Sequence, residues 1–318
     1  MALQIILFLL GLGLIIYGAD WLVDGASSIA RKFGISEFVI GLTIVGMGTS
    51  APEMVVSFIG AIHGNADIAV GNVFGSNIFN TLLILGITAV IMPMTITRTN
   101  LRRDIPINLG VTLLVLLLGP TALLLGFGNN TLTRLDGAIL LAVFITYMYF
   151  SFKTGVKEEG GETSEKMIKP WLSALMIIGG LAGLIAGGQL FVDSATTIAK
   201  TLGISDKFIA ITILAGGTSM PELATCVVAA LKKKGQLALG NILGSNVFNI
   251  LLILGGSALI HPLSFDSMNL VDTGVLLLSA LLLLASAFMG KKNQLDRFDG
   301  SILLLCEAAY FIWLCINL

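Results

Sequence analysis

Charged residues are scarce in this sequence. Aspartate, glutamate, lysine and arginine make up only 12% of its 318 residues, whereas hydrophobic residues make up 56%. Soluble domains carry about 25% charged residues, so this chain lacks the polar surface needed to face water on all sides. The formal net charge of −1 is uninformative, because the charges are confined to short segments. The composition therefore excludes a soluble domain and indicates a membrane protein.

Cysteine is also rare, and its positions exclude two classes of protein. The three cysteines, Cys226, Cys306 and Cys315, all lie in apolar stretches, so they form neither a disulfide framework nor a metal-ligand spacing. No phosphate-cradling glycine loop appears, so nucleotide hydrolysis is not expected to drive the protein. We expect no enzymatic reaction, no resident cofactor, no nucleic-acid partner and no protein partner.

Long apolar segments are abundant instead. A helix needs about 20 mostly apolar residues to cross a bilayer, and the N-terminal run lacks the basic start of a signal peptide, so it counts as a span. We predict an all-α polytopic membrane protein with ten transmembrane helices, at roughly 3–28, 37–62, 67–91, 105–126, 135–152, 171–199, 207–231, 236–260, 269–289 and 298–317.

The longest polar stretch divides these helices into two groups of five. It runs over 153–170 and is charged, glycine-containing and without apolar periodicity, which is typical of a linker. Residues 1–152 then form one five-helix unit and residues 171–318 a second.

The basic residues predict the orientation of the chain. With the N-terminus outside, fifteen of the eighteen lysines and arginines fall in inside loops, and only Arg134, Lys200 and Lys207 remain outside. Basic residues favour the cytoplasmic side. We therefore expect a protein of the cell membrane, embedded in the lipid bilayer, with both termini outside and the linker in the cytoplasm.

The two units are sequence repeats. Residues 18–86 align with 187–255 at a constant offset of 169 without a gap, so that GTSAPE at 48–53 matches GTSMPE at 217–222 and GNVFGSNIFN at 71–80 matches GNILGSNVFN at 240–249. Because each unit has an odd number of helices, the second must enter the membrane from the opposite side. Inverted repeats of this kind are typical of secondary transporters; duplication for packing alone is the alternative.

Two carboxylates lie in the middle of apolar segments, at Glu53 and at its repeat equivalent Glu222. A carboxylate at that depth costs free energy and indicates a functional site, although a protonated structural glutamate is an alternative. Hydroxyl groups precede each of them by three and four residues, on the same helix face. Each also follows a proline, which should kink the helix and free carbonyl oxygens. The hydroxyl residues are Thr49, Ser50, Thr218 and Ser219.

A polar stripe occupies the next helix of each unit. Its members recur every four residues and are Asn72, Ser76 and Asn80 in the first unit and Asn241, Ser245 and Asn249 in the second. We interpret the serines and the last asparagine of each stripe as ion ligands, because all-oxygen sets suit hard cations such as Ca²⁺ and Na⁺. Asn77 and Asn246 lie off the stripe and are expected to bond between helices. The adjacent glycines, Gly71, Gly75, Gly240 and Gly244, are interpreted as helix-packing positions.

Other polar residues are interpreted as structural. Asp24 and Asp193 are repeat equivalents near helix ends and are expected to form hydrogen bonds rather than handle ions. His63 and His261 fall in predicted outside loops and are expected to be solvated. Cys226 follows Glu222 by one turn, and we expect it to pack in the core.

The doubled pattern GTSxPE followed by GNxxGSNxFN resembles the calcium/cation antiporter superfamily, and most closely its prokaryotic sodium/calcium exchangers. The resemblance covers the helical core of both units and implies exchange of Na⁺ for Ca²⁺ by alternating access, with the first and sixth helices sliding. It implies ion sites at mid-membrane whose ligands are Thr49, Ser50, Glu53, Ser76, Asn80, Thr218, Ser219, Glu222, Ser245 and Asn249, joined by backbone carbonyls of Gly46 and Ala215.

Two departures from related branches bear on coupling. Potassium-dependent relatives carry aspartate where this chain has Asn249, so we expect exchange without K⁺. Proton/calcium relatives have GN where this chain has GT in the motif, which argues against proton coupling. The alternatives are a proton-coupled or differently selective exchanger of the same superfamily, and an intramembrane enzyme that uses Glu53 and Glu222 as an acid/base pair.

Overall fold

The computed structural model describes residues 2–126, 128–154, 168–203, 215–266, 268–289 and 293–317. Helices dominate this part of the chain. They are α1 (Ala2–Phe33), α2 (Glu37–Thr49), α3 (Ala51–Ile62), α4 (Ala66–Ile91), α5 (Ile105–Leu118), α6 (Thr121–Leu125), α7 (Arg134–Thr154), α8 (Pro170–Thr201), α9 (Ala215–Gly217), α10 (Met220–Leu231), α11 (Gly235–Ile260), α12 (Leu270–Ser286) and α13 (Arg297–Asn317).

Six of these helices are long and apolar enough to cross a membrane, namely α1, α4, α7, α8, α11 and α13. The bent pair of α2 and α3 adds a seventh if it is counted as one span, whereas α10 and α12 are shorter apolar helices. The first eight residues of the predicted helix at 207–231 and most of the predicted linker lie outside the described residues. The protein is therefore a helical membrane protein.

The predicted fourth helix is wrong in its extent. The prediction ran over 105–126, but α5 ends at Leu118 and α6 begins at Thr121 as a separate short helix. Pro120 is the reason: it has no backbone N–H to donate, and its ring disfavours helical geometry in the residue before it. The predicted first helix, 3–28, is too short, since α1 continues to Phe33.

Burial separates an inner group of helices from an outer group. The most apolar window of α11 is 94% buried and that of α4 is 67% buried, whereas the corresponding value is 22% for α1, α7 and α8. The core therefore surrounds α4 and α11, the two helices that carry the polar stripes, with α2, α3 and α10 packed against them.

The outer helices α1 and α8 pack against each other at backbone distance. A Cβ atom added at Gly18 would lie 2.8 Å from the carbonyl oxygen of Gly180, and one added at Gly187 would lie 2.9 Å from that of Gly11. Side chains at these positions would hold the helices apart, so glycine is what permits the close approach.

Two short antiparallel ladders connect loops of the two units. In one, β1 (Met94–Thr95) pairs with β4 (Gln294–Leu295); in the other, β2 (Thr131–Leu132) pairs with β3 (Leu263–Ser264). Each ladder joins one strand from each unit, so the ends of the helical core are cross-linked by backbone hydrogen bonds.

Candidate ion-binding site

A break in the helix positions each carboxylate. α2 ends at Thr49 and α3 begins at Ala51, and the two axes differ by 48°. Pro52 lies in the first turn of α3, where a missing N–H does no harm to the helix. The second unit repeats this arrangement, since α9 ends at Gly217 and α10 begins at Met220 with Pro221 in its first turn. The glutamate thus follows one residue after the proline, at the start of the new helix.

Hydrogen bonds connect the two carboxylates to the opposite unit. Glu53 and Glu222 are fully buried. The hydroxyl of Ser219 donates to Oε1 of Glu53 at 3.0 Å, and the hydroxyl of Ser50 donates to Oε1 of Glu222 at 2.9 Å. Each serine therefore serves the carboxylate of the other repeat, and the two halves form a single site.

The stripe serines approach the same carboxylate oxygens. Ser76 donates to Oε1 of Glu53 at 3.5 Å, and Ser245 donates to Oε1 of Glu222 at 3.4 Å. Ser245 also lies 3.3 Å from the carbonyl oxygen of Gly46. Hydroxyl groups from both units thus surround one oxygen of each glutamate.

Four buried oxygens in the same region have no hydrogen-bond partner among the described residues. They are Oε2 of Glu53, Oε2 of Glu222, Oδ1 of Asn80 and Oδ1 of Asn249. Most buried polar atoms in proteins are hydrogen-bonded, because a buried polar atom without a partner costs free energy. These four form two repeat-equivalent pairs of unpartnered acceptors, which is the set that a hard cation would coordinate.

Asparagines hold one another across the two units. The amide nitrogen of Asn80 donates to Oδ1 of Asn246 at 3.2 Å, and that of Asn249 donates to Oδ1 of Asn77 at 3.0 Å. Asn77 in turn donates to the carbonyl oxygen of Asn246 at 3.1 Å. The prediction that Asn77 and Asn246 bond between helices is confirmed, and these bonds direct the remaining amide oxygens of Asn80 and Asn249 away from the pairing.

The threonines and the first asparagine of each stripe form a second reciprocal pair. Thr49 donates to Oδ1 of Asn241 at 3.2 Å, and Thr218 donates to Oδ1 of Asn72 at 3.5 Å. Asn72 also donates to the carbonyl oxygen of Glu53 at 3.1 Å. These contacts fix the helix breaks against α4 and α11.

The structure places eleven of the twelve predicted ligands in three hydrogen-bonded groups, one around Glu53, one around Glu222 and one formed by the asparagine pairs. No hydrogen bond is described for the twelfth, Ala215, at the start of α9. Thr81 was not among the predicted residues, and its hydroxyl accepts from the amide of Asn246 at 2.8 Å. Thr81 aligns with Ile250 in the second unit, so the repeat contains no signal that could have indicated it.

The prediction that the glycines beside the stripes are helix-packing positions is confirmed for α11. Cβ atoms added at Gly240 and Gly244 would collide with the backbone carbonyl oxygens of Phe38 and Leu42, so both are packing positions. No described atom lies within 4 Å of a Cβ at Gly71 or Gly75. Their counterpart segment, 204–214, lies outside the described residues, and the packing role of these two glycines stays a prediction.

The remaining polar residues also have defined surroundings. Cys226 is buried and accepts a hydrogen bond from Asn241 at 3.3 Å, which confirms its place in the core. His63 and His261 are exposed, as predicted. Asp24 forms an ion pair with Lys232, whereas its repeat equivalent Asp193 is exposed.

The fold and the polar cluster together define a class of protein: a helical membrane protein whose two repeated units share a buried cluster of oxygen ligands of the kind that suits hard cations. Comparison with known proteins identifies the family. The family model described as "Sodium/calcium exchanger protein" matches residues 3–153 and 172–318. The chain belongs to this family, and it is therefore a member of a group of cation antiporters, as the sequence motifs predicted.

Individual relatives agree with this assignment. The chain is 40% identical to an antiporter named CaxA from Alkalimonas amylolytica, with 96% of each chain covered. It is 32% identical to the sodium/calcium exchanger MaX1 of Methanosarcina acetivorans, with 96% of this chain and 97% of that one covered. A solved structure of the sodium-calcium exchanger NCX_Mj, soaked with 10 mM Na⁺ and without Ca²⁺, superposes with a TM-score of 0.84 at 34% identity over 100% of this chain and 99% of that one.

Proposed function

We propose that this protein exchanges Na⁺ for Ca²⁺ across the cell membrane by alternating access, without K⁺. Ten membrane spans in two inverted units, 1–152 and 171–318, with a cytoplasmic linker and both termini outside, would give the site access to each side in turn. The observation that supports this function most directly is the set of four unpartnered buried oxygens on Glu53, Glu222, Asn80 and Asn249. The names of MaX1 and NCX_Mj point in the same direction.

Charge is the reason for choosing Ca²⁺ and Na⁺. Two ionised glutamates give the site a charge of about −2, which balances one Ca²⁺ ion, and a charge left uncompensated at membrane depth costs at least about 2.5–3.5 kcal/mol. Na⁺ ions that enter the same oxygen set compete for the same two carboxylates. This competition couples the two ion fluxes, and the inward Na⁺ gradient would then drive Ca²⁺ out of the cell.

The two asparagines argue against K⁺ cotransport. Asn80 and Asn249 contribute neutral amide oxygens, so they add nothing to the charge of about −2. A K⁺ ion travelling with Ca²⁺ would raise the ionic charge to +3 with no carboxylate to compensate the excess. The same limit applies to any monovalent cation carried together with Ca²⁺.

The first prediction concerns coupling and uses ⁴⁵Ca²⁺ uptake into proteoliposomes. We expect uptake when Na⁺ is loaded inside and diluted outside, and the same rate when K⁺ is replaced by choline on both sides. We expect no uptake when only a pH gradient is imposed. Liposomes that contain the Glu53→Gln variant serve as the control for leakage. Loss of flux on omission of K⁺ would refute the charge argument, and flux that follows the pH gradient and ignores Na⁺ would replace this function with proton-coupled exchange.

A further inference from the structure

An ion cluster connects the outer helix α1 to the end of α10. The ammonium nitrogen of Lys232, one residue after α10, lies 2.6 Å from Oδ1 of Asp20 and 2.7 Å from Oδ1 of Asp24. It also donates to the backbone carbonyl oxygen of Asp20 at 3.3 Å. The two aspartates are one helical turn apart on α1, so a single cation bridges both of them.

Lys232 is charged in this cluster. Partial burial alone would lower the pKa of Lys232, but hydrogen bonds to Asp20 and Asp24 and the attraction of both carboxylates outweigh it and raise that pKa. The side chain of Lys232 is 26% exposed, and those of Asp20 and Asp24 are 46% and 37% exposed. The cluster is therefore only partly buried, and an ion pair that is not fully buried forms and parts with a modest change in free energy.

The repeat places a corresponding but not identical set of residues in the equivalent helices. At the offset of 169, Asp24 corresponds to Asp193 on α8, Asp20 to Gln189, and Lys232 to His63 after α3. In the structure Asp193 and His63 are both exposed, and neither forms an ion pair within the described part of the chain. One set is therefore assembled and its repeat equivalent is not.

The helices that carry these two sets of residues also differ in how closely they pack. α1 packs closely along α10, whereas the equivalent helices, α8 and α3, have at most marginal contact in the described residues. Inverted repeats in transporters exchange their conformations when access moves from one side of the membrane to the other. The exchange would bring α8 onto α3 and release α1 from α10.

We propose that Lys232 with Asp20 and Asp24 forms a latch that keeps the cytoplasmic side closed, and that Asp193 with His63 forms the corresponding latch that keeps the outer side closed in the alternate state. This inference rests on the proposed function for its alternating access and on the proposed topology for its sides. Each latch joins an outer helix to the core helix that carries a site glutamate, α10 for Glu222 and α3 for Glu53. Opening one side therefore requires its ion pair to part.

Cross-linking tests whether the two latches alternate. The native cysteines are first replaced by serine. Serine suits position 226 because the equivalent residue of the first unit is Ser57. The cysteine-free protein must retain exchange. Two cysteine pairs are then introduced, Asp24→Cys with Lys232→Cys, and Asp193→Cys with His63→Cys. A short, reducible bifunctional thiol reagent is applied in Na⁺, in Ca²⁺ and in ion-free buffer.

We expect each pair to cross-link, with yields that change in opposite directions between ionic conditions. Either cross-link should block exchange, and reduction should restore it. In a protein that carries all four cysteines, we expect one cross-link or the other in a single molecule, never both. Failure of the 193–63 pair to cross-link in every condition, or formation of both cross-links in one molecule, would refute the latch pair.

A charge variant tests the ion pair itself. Lys232→Gln removes the latch cation, and we expect the 193–63 cross-linking rate to rise roughly 1.5- to 5-fold, as for the loss of exposed ion pairs. Lys233→Gln is the matched control, because Lys233 lies in the same turn and forms no ion pair within the described residues, and it should leave the rate unchanged. Equal rates in Lys232→Gln and the parent protein would contradict the proposal.

The latch proposal and the assignment of Na⁺ as the driving ion can be refuted separately. The cross-linking yields report conformation and do not depend on which ion drives transport. Alternating cross-links with proton-driven flux would retain the latch and reject the Na⁺ assignment. Na⁺-driven flux with cross-links that do not alternate would retain the Na⁺ assignment and reject the latch.

Discussion

The two oxygens of each site glutamate have different surroundings. Oε1 of Glu53 accepts from Ser219 and Ser76, whereas Oε2 has no partner among the described residues. Glu222 repeats this division with Ser50 and Ser245. Hydroxyl donors hold one oxygen in place, and in the proposed exchanger the other oxygen would coordinate a cation, so that each carboxylate would be oriented before an ion arrives. Preorganised ligands of this kind reduce the cost of binding.

The second prediction concerns these carboxylates. Glu53→Gln and Glu222→Gln should each abolish Ca²⁺ exchange, because one remaining carboxylate leaves Ca²⁺ with an uncompensated positive charge in a low-dielectric site. The isosteric amide should keep the fold, which size-exclusion chromatography and thermal unfolding would report.

Glu307→Gln is the control for that prediction. Glu307 is a partly buried carboxylate of α13. RLDGAILL at 134–141 aligns with RFDGSILL at 297–304 at an offset of 163, which makes Phe144 its first-unit equivalent, so Glu307 has no place in the repeated site. We expect exchange to survive this change. Near wild-type ⁴⁵Ca²⁺ flux in either Glu53→Gln or Glu222→Gln would remove the carboxylate pair from the mechanism.

At the scale of the elements, two devices shape the site: broken helices and glycine contacts. The breaks before Pro52 and Pro221 let two helix starts carry the glutamates into the core. The glycines of α1 and α8 remove side chains from the contact between the outer helices. Where these glycines meet the facing backbone, no side chain interlocks the two helices, and such points oppose relative motion less than packed large residues do, which fits the sliding that the family resemblance implies.

The third prediction concerns this glycine contact. Gly18→Ala would place a Cβ 2.8 Å from the carbonyl oxygen of Gly180 and 2.8 Å from the backbone nitrogen of Leu184, and overpacking of this kind costs about 1–3 kcal/mol. We expect a lower thermal-unfolding midpoint in detergent and slower exchange.

Gly13→Ala supplies the comparison on the same helix. No described atom lies within 4 Å of a Cβ at Gly13, so alanine there should be neutral or should stabilise the helix by about 0.5–1 kcal/mol. The same loss of stability in both variants would mean that helix propensity, and not the contact with α8, governs these positions.

At the scale of the whole molecule, the two units depend on each other. Every described hydrogen bond of the Glu53 carboxylate to the opposite unit has a counterpart at Glu222, and the asparagine pairs cross the same boundary. One unit alone would leave a single buried carboxylate and half of the amide pairing unsatisfied. The site is therefore a property of the pair of units.

The fourth prediction tests the orientation of that pair. In a background without native cysteines, Gly160→Cys and Lys233→Cys should resist an impermeant thiol reagent in intact cells and react after permeabilisation. His261→Cys should react in intact cells. These outcomes follow from the positive-inside bias. Labelling of Gly160→Cys from outside would overturn the topology and, with it, the inverted arrangement of the repeats.

Much of this molecule could be predicted from the sequence because the relevant signals are local or repeated. Apolar length indicates membrane helices without reference to neighbours, and a constant offset of 169 identifies Glu53 and Glu222 as equivalent. Pro52 predicted the bend, which the structure confirms at Ser50. The ends of the helices were harder to predict than their existence. Pro120 illustrates the reason, because a single proline inside an apolar run interrupts the helix without changing the hydropathy of the run.

The cross-pairing of side chains could not be predicted in this way. Helical spacing placed Ser50 on one face with Glu53, yet in the structure its hydroxyl donates to Glu222, because Ser50 lies at the bend between α2 and α3, where helical spacing no longer applies. Thr81 bonds to Asn246 although no repeat signal indicates it. In the sequence Lys232 is one of the basic residues behind the positive-inside bias, and nothing in it indicates the bridge to Asp20 and Asp24, which joins residues more than two hundred positions apart.

The sequence by itself determined that this chain is a membrane protein with two repeated units and which residue types lie at membrane depth. Those features depend on composition and on spacing along one helix. The tertiary structure alone decided which buried oxygens are satisfied by hydrogen bonds, which have no partner among the described residues, and that Lys232 pairs with Asp20 and Asp24. These depend on distances between α3, α10 and the stripe helices, and such distances follow from the packing of the two units rather than from any local pattern.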